Sequence, residues 1–339
     1  MADRKLAGLL AMRPEVRAAA FPSPVMNRLH AAAEVDPALT VVDFADPALR
    51  EVLAEAEVLV SGWGCPLIDR AVLDAAPMLR AVIHAAGTVK EHVSPLVWQR
   101  GIEVSSAAAV NARPVAQYTL AMILLAGKRA FPQARQYVRT GIRDVALTQS
   151  SGNHGLTVGV IGASRIGRRV LPMLVEQGFH TLVSDPTLDA REAADLTPGG
   201  GTELVDLDTL LTRSDIVSIH APMLPSTRHL LDARRLGLLR DGATLVNTAR
   251  GVLVDTDALI RHCAAGRIYA VLDVTDPDPL PLGHPLLSLP NVLVTPHIAG
   301  ALGSEIAQLG EFAVDEVERL ASGRPLQGLV HAEELEKLA

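Results

Sequence analysis

The sequence predicts an α/β protein of two domains, each built on a parallel β-sheet. Short β-branched runs alternate with longer helical patterns along most of the chain, an order typical of parallel strands joined by helices. The 339 residues also exceed the length at which a single hydrophobic core usually stops growing. We therefore expect one full doubly wound sheet and one smaller α/β domain.

The larger sheet is predicted from residue 156 onward, where six candidate strands are separated by helical patterns. The strands are apolar almost throughout, as expected when helices cover both faces of a sheet. They are LTVGVIG at 156–162, HTLVSD at 180–185, DIVSIHA at 215–221, GATLVNT at 242–248, IYAVLDV at 268–274 and NVLVTPH at 291–297. Helices are predicted at IGRRVLPMLVEQG and DTDALIRHCAAG, among others. Six such strands make a complete dinucleotide-binding sheet of the Rossmann type.

The first third of the chain repeats the alternation more weakly and predicts a smaller, flavodoxin-like α/β domain. Its candidate strands are TVVDF at 40–44, EVLVSG at 57–62, LRAVIHAAG at 79–87 and IEVSS at 102–106, with a helix at CPLIDRAVLDAAP.

Two long helical patterns are expected to carry the chain between the domains. The first is ARPVAQYTLAMILLAGKRA, in which Pro114 suits the first helical turn; the second is SEIAQLGEFAVDEVERLASG, after residue 303. We therefore expect a discontinuous smaller domain of residues 1–111 and 299–339, a dinucleotide-binding domain of residues 112–298, and a cleft between them.

The composition argues against several classes of protein. A net charge of −7 without long runs of one sign predicts no nucleic-acid partner. Cys65 and Cys263 are too few for a disulfide framework or a zinc motif, so we expect two buried thiols, no metal and a cytoplasmic setting. The N terminus lacks a signal-peptide pattern. The apolar run TLAMILLA is far shorter than the about 20 residues of a spanning helix, so we expect no membrane partner.

The stretch GVIGASRIG nearly matches the dinucleotide fingerprint G-x-G-x-x-G. Gly162 and Gly167 are in register, but Ser164 replaces the middle glycine. The stretch follows a strand and opens a helix, and Asp185 ends the next strand, which are the conditions that support the motif. Ser164 can donate to a phosphate oxygen beside the helix N-terminus. Because a carboxylate at Asp185 bonds ribose hydroxyls and repels a 2′-phosphate, we predict NAD rather than NADP. The alternative is a glycine turn without a ligand.

Three further stretches, NTARG, LDVTDPDPLP and TPHIAG, come at the ends of predicted strands. The carboxyl ends of parallel strands face the ligand crevice, so Arg250, Asp276, Asp278 and His297 can converge there. The planar guanidinium of an arginine bonds both oxygens of a carboxylate. A histidine beside a carboxylate can exchange a proton near neutral pH.

On these motifs the chain resembles the D-isomer-specific 2-hydroxyacid dehydrogenases, over nearly its whole length. The most specific parts are NTARGVLVDTDAL, LDVTDPDPLPLGHPLLSLPNVLVTPHIAG and IGASRIGR, while NARPVAQYTLAMILLA and HAAG agree more loosely. The resemblance implies hydride transfer between NAD(H) and a small D-2-hydroxy acid or 2-keto acid, with residues 1–111 and 299–339 as the substrate domain. It implies that Arg250 binds the carboxylate, that His297 is the acid/base, and that Asp278 takes the place of the family's catalytic glutamate. It also implies a homodimer, for which the apolar segment from residue 111 to residue 134 is suitable.

The resemblance further implies which residues surround the cofactor and the substrate. The implied cofactor residues are Gly162, Ser164, Arg165, Ile166, Gly167, Asp185, His220, Ala221, Pro222, Thr227, Thr248, Ala249, Asp273 and Gly300. Ala86, Gly87 and Thr88 are implied to offer backbone N–H groups to the substrate carboxylate, with Arg250. Asp273 is implied to contact the nicotinamide amide, and the alternative is that it only braces a loop.

Three departures from the family pattern affect these expectations. Asp278 is one methylene shorter than glutamate, Gln117 stands where the family often has glutamate, and Leu224 replaces a frequent threonine, which leaves Thr227 as the hydroxyl contact. Asp276 is the alternative partner of His297. A different class of function is an NAD-sensing interaction module with little or no turnover, although a sensor needs neither Arg250 nor His297. An NADP-dependent reductase is disfavoured by Asp185.

Overall fold

The protein is described by a computed structural model that covers residues 5–197 and 199–334. It divides into two compact units, one of the residues up to 112 together with those from 301 onward, and one of residues 113–300. Both units are built on parallel sheets, of five and seven strands. The predicted fold class is confirmed.

The first unit has the strand order β2-β1-β3-β4-β5, and all neighbouring strands are parallel. Its strands are β1 (Leu6–Ala11), β2 (Ala33–Glu34), β3 (Val58–Ser61), β4 (Ala81–His84) and β5 (Glu103–Ser106). Its helices are α1 (Pro14–Ala20), α2 (Ser23–Ala32), α3 (Arg50–Glu55), α4 (Arg70–Ala75), α5 (Leu96–Gln99), the start of α6 (Ala108–Gly127) and α15 (Ile306–Ala321). Buried residues of α15, among them Val314 and Val317, pack with β1 and β4 in one apolar cluster.

The predictions for the amino-terminal strands of this sheet were wrong, and neither β1 nor the two-residue β2 was predicted. TVVDF is not a strand: Val41 forms a single bridge to Ala11, and the Val42 side chain is 56% exposed. Asp43 and Asp46 bind backbone N–H groups two residues further on, which favours turns. The central strand β1 was missed, because its sequence LAGLLA contains no β-branched residue to signal a strand.

Helix α6 begins earlier than predicted, at Ala108, so Pro114 lies inside the helix and not in its first turn. The start is fixed by the Ser106 hydroxyl, which accepts a hydrogen bond from the Ala108 N–H at 3.1 Å. Pro114 cannot donate to the carbonyl four residues before it, and the helix tolerates this single loss. The division between the units falls within α6, after Ala112. Among the described residues, no helix has the length and apolar character needed to span a bilayer.

The second unit has the strand order β12-β11-β10-β9-β6-β7-β8, again with every neighbour parallel. Its strands are β6 (Thr157–Ile161), β7 (His180–Ser184), β8 (Thr202–Leu204), β9 (Ile216–Ile219), β10 (Thr244–Asn247), β11 (Tyr269–Leu272) and β12 (Val292–Val294). Its helices, after the end of α6, are α7 (Ala130–Thr140), α8 (Val145–Gln149), α9 (Gly167–Glu176), α10 (Ala190–Asp195), α11 (Leu207–Arg213), α12 (Ala233–Leu238), α13 (Thr256–Ala264) and α14 (Pro285–Ser288).

All six predicted strands of this unit are present, and the sheet has a seventh, β8. That strand was missed because its three residues follow a run of glycines and give no apolar pattern. Alternate residues of each inner strand pack on opposite faces: Leu245 belongs to the cluster with α11 and α13, and Val246 to the cluster with α6 and α9. The strand order reverses between β6 and β9, so the carboxyl ends of these strands mark the position where doubly wound sheets bind ligands.

The two cysteines are free and buried, as predicted. Burial raises the pKa of both the Cys65 and the Cys263 thiol to about 12. The thiolate is the reactive form of cysteine, so both side chains are inert small apolar groups.

Candidate active site

The fingerprint turn joins β6 to α9 in the second unit, and two of its glycines have no room for a side chain. Gly162 has a φ of 92°, and a Cβ there would lie 2.7 Å from the Ala221 nitrogen at the end of β9. A Cβ on Gly167 would lie 2.1 Å from the Gly162 carbonyl oxygen. Ser164 and Ile166 are half-buried and Arg165 is exposed. The strand end and the helix start therefore approach closely and leave the backbone bare for an anion at the helix N-terminus.

Asp185, at the end of β7, holds this turn in place. One carboxylate oxygen accepts from the Ala163 N–H at 2.6 Å, and the other accepts from the Thr187 N–H and hydroxyl at 2.8 and 2.6 Å. A carboxylate has about four acceptor positions, so capacity is left for ribose hydroxyls. The glycine turn and Asp185 thus form one hydrogen-bonded structure that fits a dinucleotide.

The end of β9 contributes His220, Ala221 and Pro222. His220 is buried; its Nε2 lies 2.8 Å from the Ser218 hydroxyl, and its Nδ1 is buried without a hydrogen-bond partner. Burial lowers the pKa of His220 to about 3, so the ring is neutral at physiological pH. The Thr227 hydroxyl donates to the Pro222 carbonyl at 2.6 Å and accepts from the Leu224 N–H at 2.8 Å. Its one hydrogen therefore closes a local turn.

The turn that follows β10 is shaped by Asn247, which sequence reasoning had not singled out. The buried Asn247 amide donates to the Arg250 carbonyl at 2.9 Å and accepts from the Ala249 N–H at 3.0 Å. The Thr248 hydroxyl lies 2.8 Å from that of Thr119 on α6. Arg250 is half-buried, and its guanidinium donates to the Ala249 carbonyl at 2.7 Å. The backbone of this turn is fixed from within.

Gly251 brings the Arg250 turn against the loop that follows β11. A Cβ on Gly251 would lie 2.0 Å from the Thr275 carbonyl carbon and 2.6 Å from the Asp276 nitrogen. The Thr256 hydroxyl also donates to the Asp276 carbonyl at 2.9 Å. The turn with the arginine and the loop with the two acidic residues are therefore in backbone contact.

The structure gives the two acidic residues of this loop different neighbours. Asp278 Oδ2 lies 3.2 Å from His297 Nδ1, and these side chains are 42% and 57% exposed. Asp276 Oδ2 lies 4.0 Å from a guanidinium nitrogen of Arg228. Asp278 therefore reaches His297 despite being shorter than glutamate, and Asp276 faces away to Arg228.

The backbone of His297 is held by Asp273, at the end of β11. The His297 N–H donates to the Asp273 carbonyl at 3.0 Å. The buried Asp273 carboxylate accepts from the Thr295 hydroxyl at 2.7 Å and from the N–H groups of Ile298 and Ala299 at 2.9 Å each. These bonds correspond to the bracing role, and contact of Asp273 with the nicotinamide stays a prediction. Gly300 follows the braced segment and is half-buried.

The predicted substrate loop lies in the first unit, directly after β4. Ala86 is buried and Gly87 and Thr88 are half-buried. The Ser106 hydroxyl donates to the Gly87 carbonyl at 2.5 Å. His84, before the loop, is buried with its Nδ1 2.9 Å from the Ser61 hydroxyl, and burial lowers the pKa of His84 to about 3. His84 is therefore a neutral core residue.

The structure thus brings together the predicted residues at the ends of adjacent strands β10, β11 and β12. Sequence reasoning missed Asn247, Thr295 and Tyr118, which hold them. Asn247 and Thr295 stand inside the quoted motifs, so polar residues at buried strand ends were an available signal. Tyr118 lies in an apolar helix, and the sequence around it gave no such signal. Within the described ranges, no three His, Cys, Asp or Glu side chains are placed to hold a metal ion.

The sequence of the chain is similar to that of known proteins with related functions. Residues 121–299 match the family model of the D-isomer specific 2-hydroxyacid dehydrogenase, NAD binding domain. A glyoxylate reductase of Thermofilum pendens is 36% identical over 275 residues, which are 79% of this chain and 79% of that protein. A D-3-phosphoglycerate dehydrogenase of Archaeoglobus fulgidus is 32% identical over 270 residues, which are 79% of this chain. The matched region covers about half (50%) of that protein.

Solved structures agree with these matches. A D-lactate dehydrogenase from Aquifex aeolicus, complexed with NAD and lactic acid, is 26% identical with a TM-score of 0.71, over 93% of this chain and 96% of that one. The resemblance inferred from the motifs is confirmed. The chain belongs to the D-isomer-specific 2-hydroxyacid dehydrogenases and is an NAD-dependent oxidoreductase.

Proposed function

We propose that the protein interconverts a small 2-keto acid and the corresponding D-2-hydroxy acid, with Arg250, Asp278 and His297 at the reacting group. The observation that carries the proposal is the His297–Asp278 pair at 3.2 Å, on a loop in backbone contact with the Arg250 turn. NAD, when bound, supplies or accepts the hydride at the C2 carbon.

The residues of the chain do the remaining work. Asp278 at Nδ1 leaves Nε2 of His297 to hold the proton that the substrate oxygen receives in reduction and returns in oxidation. Arg250 binds the substrate carboxylate through two parallel N–H bonds, which orients the carbonyl. The backbone N–H groups of Ala86, Gly87 and Thr88 are proposed as substrate-binding donors of the first unit. The residues of the first unit would bind substrate, and residues 112–298 would bind the cofactor.

The cofactor preference is proposed to depend on Asp185. Its carboxylate bonds the adenosine ribose hydroxyls and repels a 2′-phosphate, so NADH should bind more tightly than NADPH in a fluorescence titration. Asp185→Ala should narrow the difference in affinity between the two. Equal affinities in the unmodified protein would contradict this assignment. Ser164, Arg165, Ile166 and the ends of β9 and β10 complete the proposed cofactor site.

The substrate is proposed to be a small keto acid of the glyoxylate, pyruvate or hydroxypyruvate type. The relative of 36% identity is named glyoxylate reductase, and two-carbon to three-carbon keto acids need no second anion site.

A cytoplasmic setting is proposed for the protein, because the two buried thiols fit a reducing compartment.

A homodimer is proposed to form through α7, α8 and the end of α6. Side chains on these helices and the turn between them are unusually exposed for apolar residues: Tyr137 61%, Val138 87%, Ile142 68% and Val145 62%. A patch of this kind indicates a protein interface, and a second copy of the chain is the partner that the family implies. Sedimentation of the purified protein measures its oligomeric state directly.

The test of the proposed activity is NADH consumption, followed at 340 nm, with a panel of small 2-keto acids. We expect turnover with at least one, and a D-configured product by chiral chromatography from those keto acids, such as pyruvate, whose product has a stereocentre. NADH binding without turnover of any keto acid would favour the alternative, an NAD-sensing module. The L-isomer as product would contradict the proposal.

A further inference from the structure

A chain of hydrogen bonds leads from helix α6 to the loop that carries His297. The Tyr118 hydroxyl lies 2.7 Å from the Thr295 hydroxyl, which donates to Asp273 Oδ1 at 2.7 Å. A threonine hydroxyl has one hydrogen, and here the carboxylate takes it. Tyr118 must therefore be the donor in its bond to Thr295. Burial raises the pKa of the Tyr118 phenol, so this hydrogen is retained at neutral and mildly alkaline pH.

At its other end, this series of hydrogen bonds fixes the backbone of His297. Asp273 Oδ1 accepts from both Thr295 and the Ile298 N–H, and Oδ2 accepts from the Ala299 N–H. These donors stand on both sides of His297, whose own N–H binds the Asp273 carbonyl. His297 has a φ of 56°, in the left-handed region that non-glycine residues seldom adopt. Such a conformation persists only where the surroundings determine it.

We propose that Tyr118 and Thr295 are positioning residues for the acid/base group: through Asp273 they hold His297 in its left-handed conformation with the ring at Asp278. The inference rests on the proposed role of His297. Tyr118 touches neither Asp278 nor His297 in the hydrogen bonds described, so its effect on the reaction is carried through Thr295 and Asp273.

Substitutions at these positions can separate the effect of the hydroxyl group from the effect of side-chain packing. Tyr118→Phe removes one oxygen and keeps the ring, and Thr295→Val keeps the shape and removes the hydroxyl. Thr295→Ser restores the hydroxyl without the methyl group. Tyr269→Phe is the matched control, because the Tyr269 ring lies at the amino end of β11, 4.1 Å from the Arg129 guanidinium carbon. Thr181→Val, at the amino end of β7, is the control for threonine.

We expect kcat for keto-acid reduction to fall about tenfold in Tyr118→Phe and further in Thr295→Val, since small displacements of a reacting group reduce rates steeply. The KM for the keto acid and the Kd for NADH should stay within about twofold, because Arg250 and the fingerprint turn are untouched. Thr295→Ser should recover most of kcat. Tyr269→Phe and Thr181→Val should have the same kcat as the unmodified protein.

Two results would overturn the inference. The first is unchanged kcat in both Tyr118→Phe and Thr295→Val; the second is a fall in kcat matched by equal losses in NADH affinity and Tm, which indicates a merely structural role. His297→Asn separates this inference from the proposed function. Full activity in His297→Asn refutes the acid/base role itself, whereas an inactive His297→Asn with fully active Tyr118→Phe and Thr295→Val refutes only the positioning role.

Discussion

Two aspartates at the end of β11 stand five residues apart and have opposite surroundings. Asp273 is buried, and its carboxylate accepts three hydrogen bonds from the segment around His297. Asp278 is exposed and has one bond, at 3.2 Å, to the His297 ring. The first aspartate holds the backbone of the histidine, and the second contacts Nδ1 of its ring.

The difference shows how one edge of a sheet can be both rigid and reactive. A buried carboxylate with several donors is costly to disturb, because each donor left without a partner loses its hydrogen bond and stays out of water. An exposed carboxylate with one partner is cheap to disturb and contributes through its charge alone. Bracing of the backbone and contact with the imidazole ring therefore belong to separate residues, and substitutions at each should have separable effects.

The largest effect is expected when the buried aspartate is replaced. Asp273→Asn turns one acceptor oxygen into an N–H₂ donor that faces other donors. The free energy of unfolding should fall by about 3 kcal/mol, and turnover by roughly 10³-fold, since a displaced His297 alone costs about 10²-fold. Urea unfolding and steady-state kinetics measure both. The exposed Asp241→Asn is the control, and a stable, active Asp273→Asn would remove the distinction between the two aspartates.

The next effect is expected at Arg250, whose backbone is held by Asn247 while its guanidinium is half-buried. Arg250→Ala should lower kcat/KM by about 10²-fold to 10³-fold, as loss of a positioned donor does elsewhere, and leave the Kd for NADH nearly unchanged. Arg250→Lys should recover only part, because an ammonium group cannot form the bidentate pair. A fully active Arg250→Ala would end its assignment to the substrate carboxylate.

A smaller effect is expected at the exposed aspartate. Asp278→Asn keeps the shape of the side chain and removes the charge that contacts the His297 ring, so kcat for keto-acid reduction should fall about tenfold while the Kd for NADH stays unchanged. Asp278→Glu should keep most of kcat, because it retains the carboxylate. Asp276→Asn should also keep it, since Asp276 faces Arg228; a fall in kcat there, with none in Asp278→Asn, would exchange the two roles.

The smallest effect contrasts a buried histidine with the exposed His297. Burial holds the pKa of His220 at about 3, against about 6.5 in an unfolded chain. Between these values the unfolded state binds one more proton, so stability is lost as pH falls below 6.5. The loss from His220 is about 1.4 kcal/mol per pH unit. His220→Gln should flatten the pH dependence of urea unfolding by that amount between pH 6 and pH 4.5, and an unchanged slope would contradict it.

Most of the second unit could be predicted from the sequence, because buried parallel strands are continuous apolar runs and the fingerprint glycines are irreplaceable. Gly162 and Gly167 are needed where the backbone approaches within van der Waals contact. The first unit was harder. Apart from Gly8, the strand LAGLLA is made of leucine and alanine, which also favour helices. TVVDF has the composition of a strand but no neighbour to pair with along its length.

At the site, the residue types were predictable and their connections were not. The motifs indicated Arg250, Asp278 and His297, since strand ends and chemistry both pointed to them. The bracing by Asp273, Thr295 and Tyr118 depends on hydrogen bonds between residues up to 177 positions apart, which no local pattern encodes. Asn247 looked like the last residue of a strand, and only the structure shows its amide closing the turn.

The missing side chain of Gly251 has a consequence for how the enzyme can change over evolution. With the Arg250 turn and the 275–276 peptide in direct contact, neither segment can be lengthened or shifted to suit a bulkier keto acid without displacing the other. If Arg250 and His297 have the proposed roles, the carboxylate-binding residue and the acid/base residue would diverge together or not at all. New substrate ranges in descendants of this sequence should therefore arise by changes in other loops, while this junction stays constant.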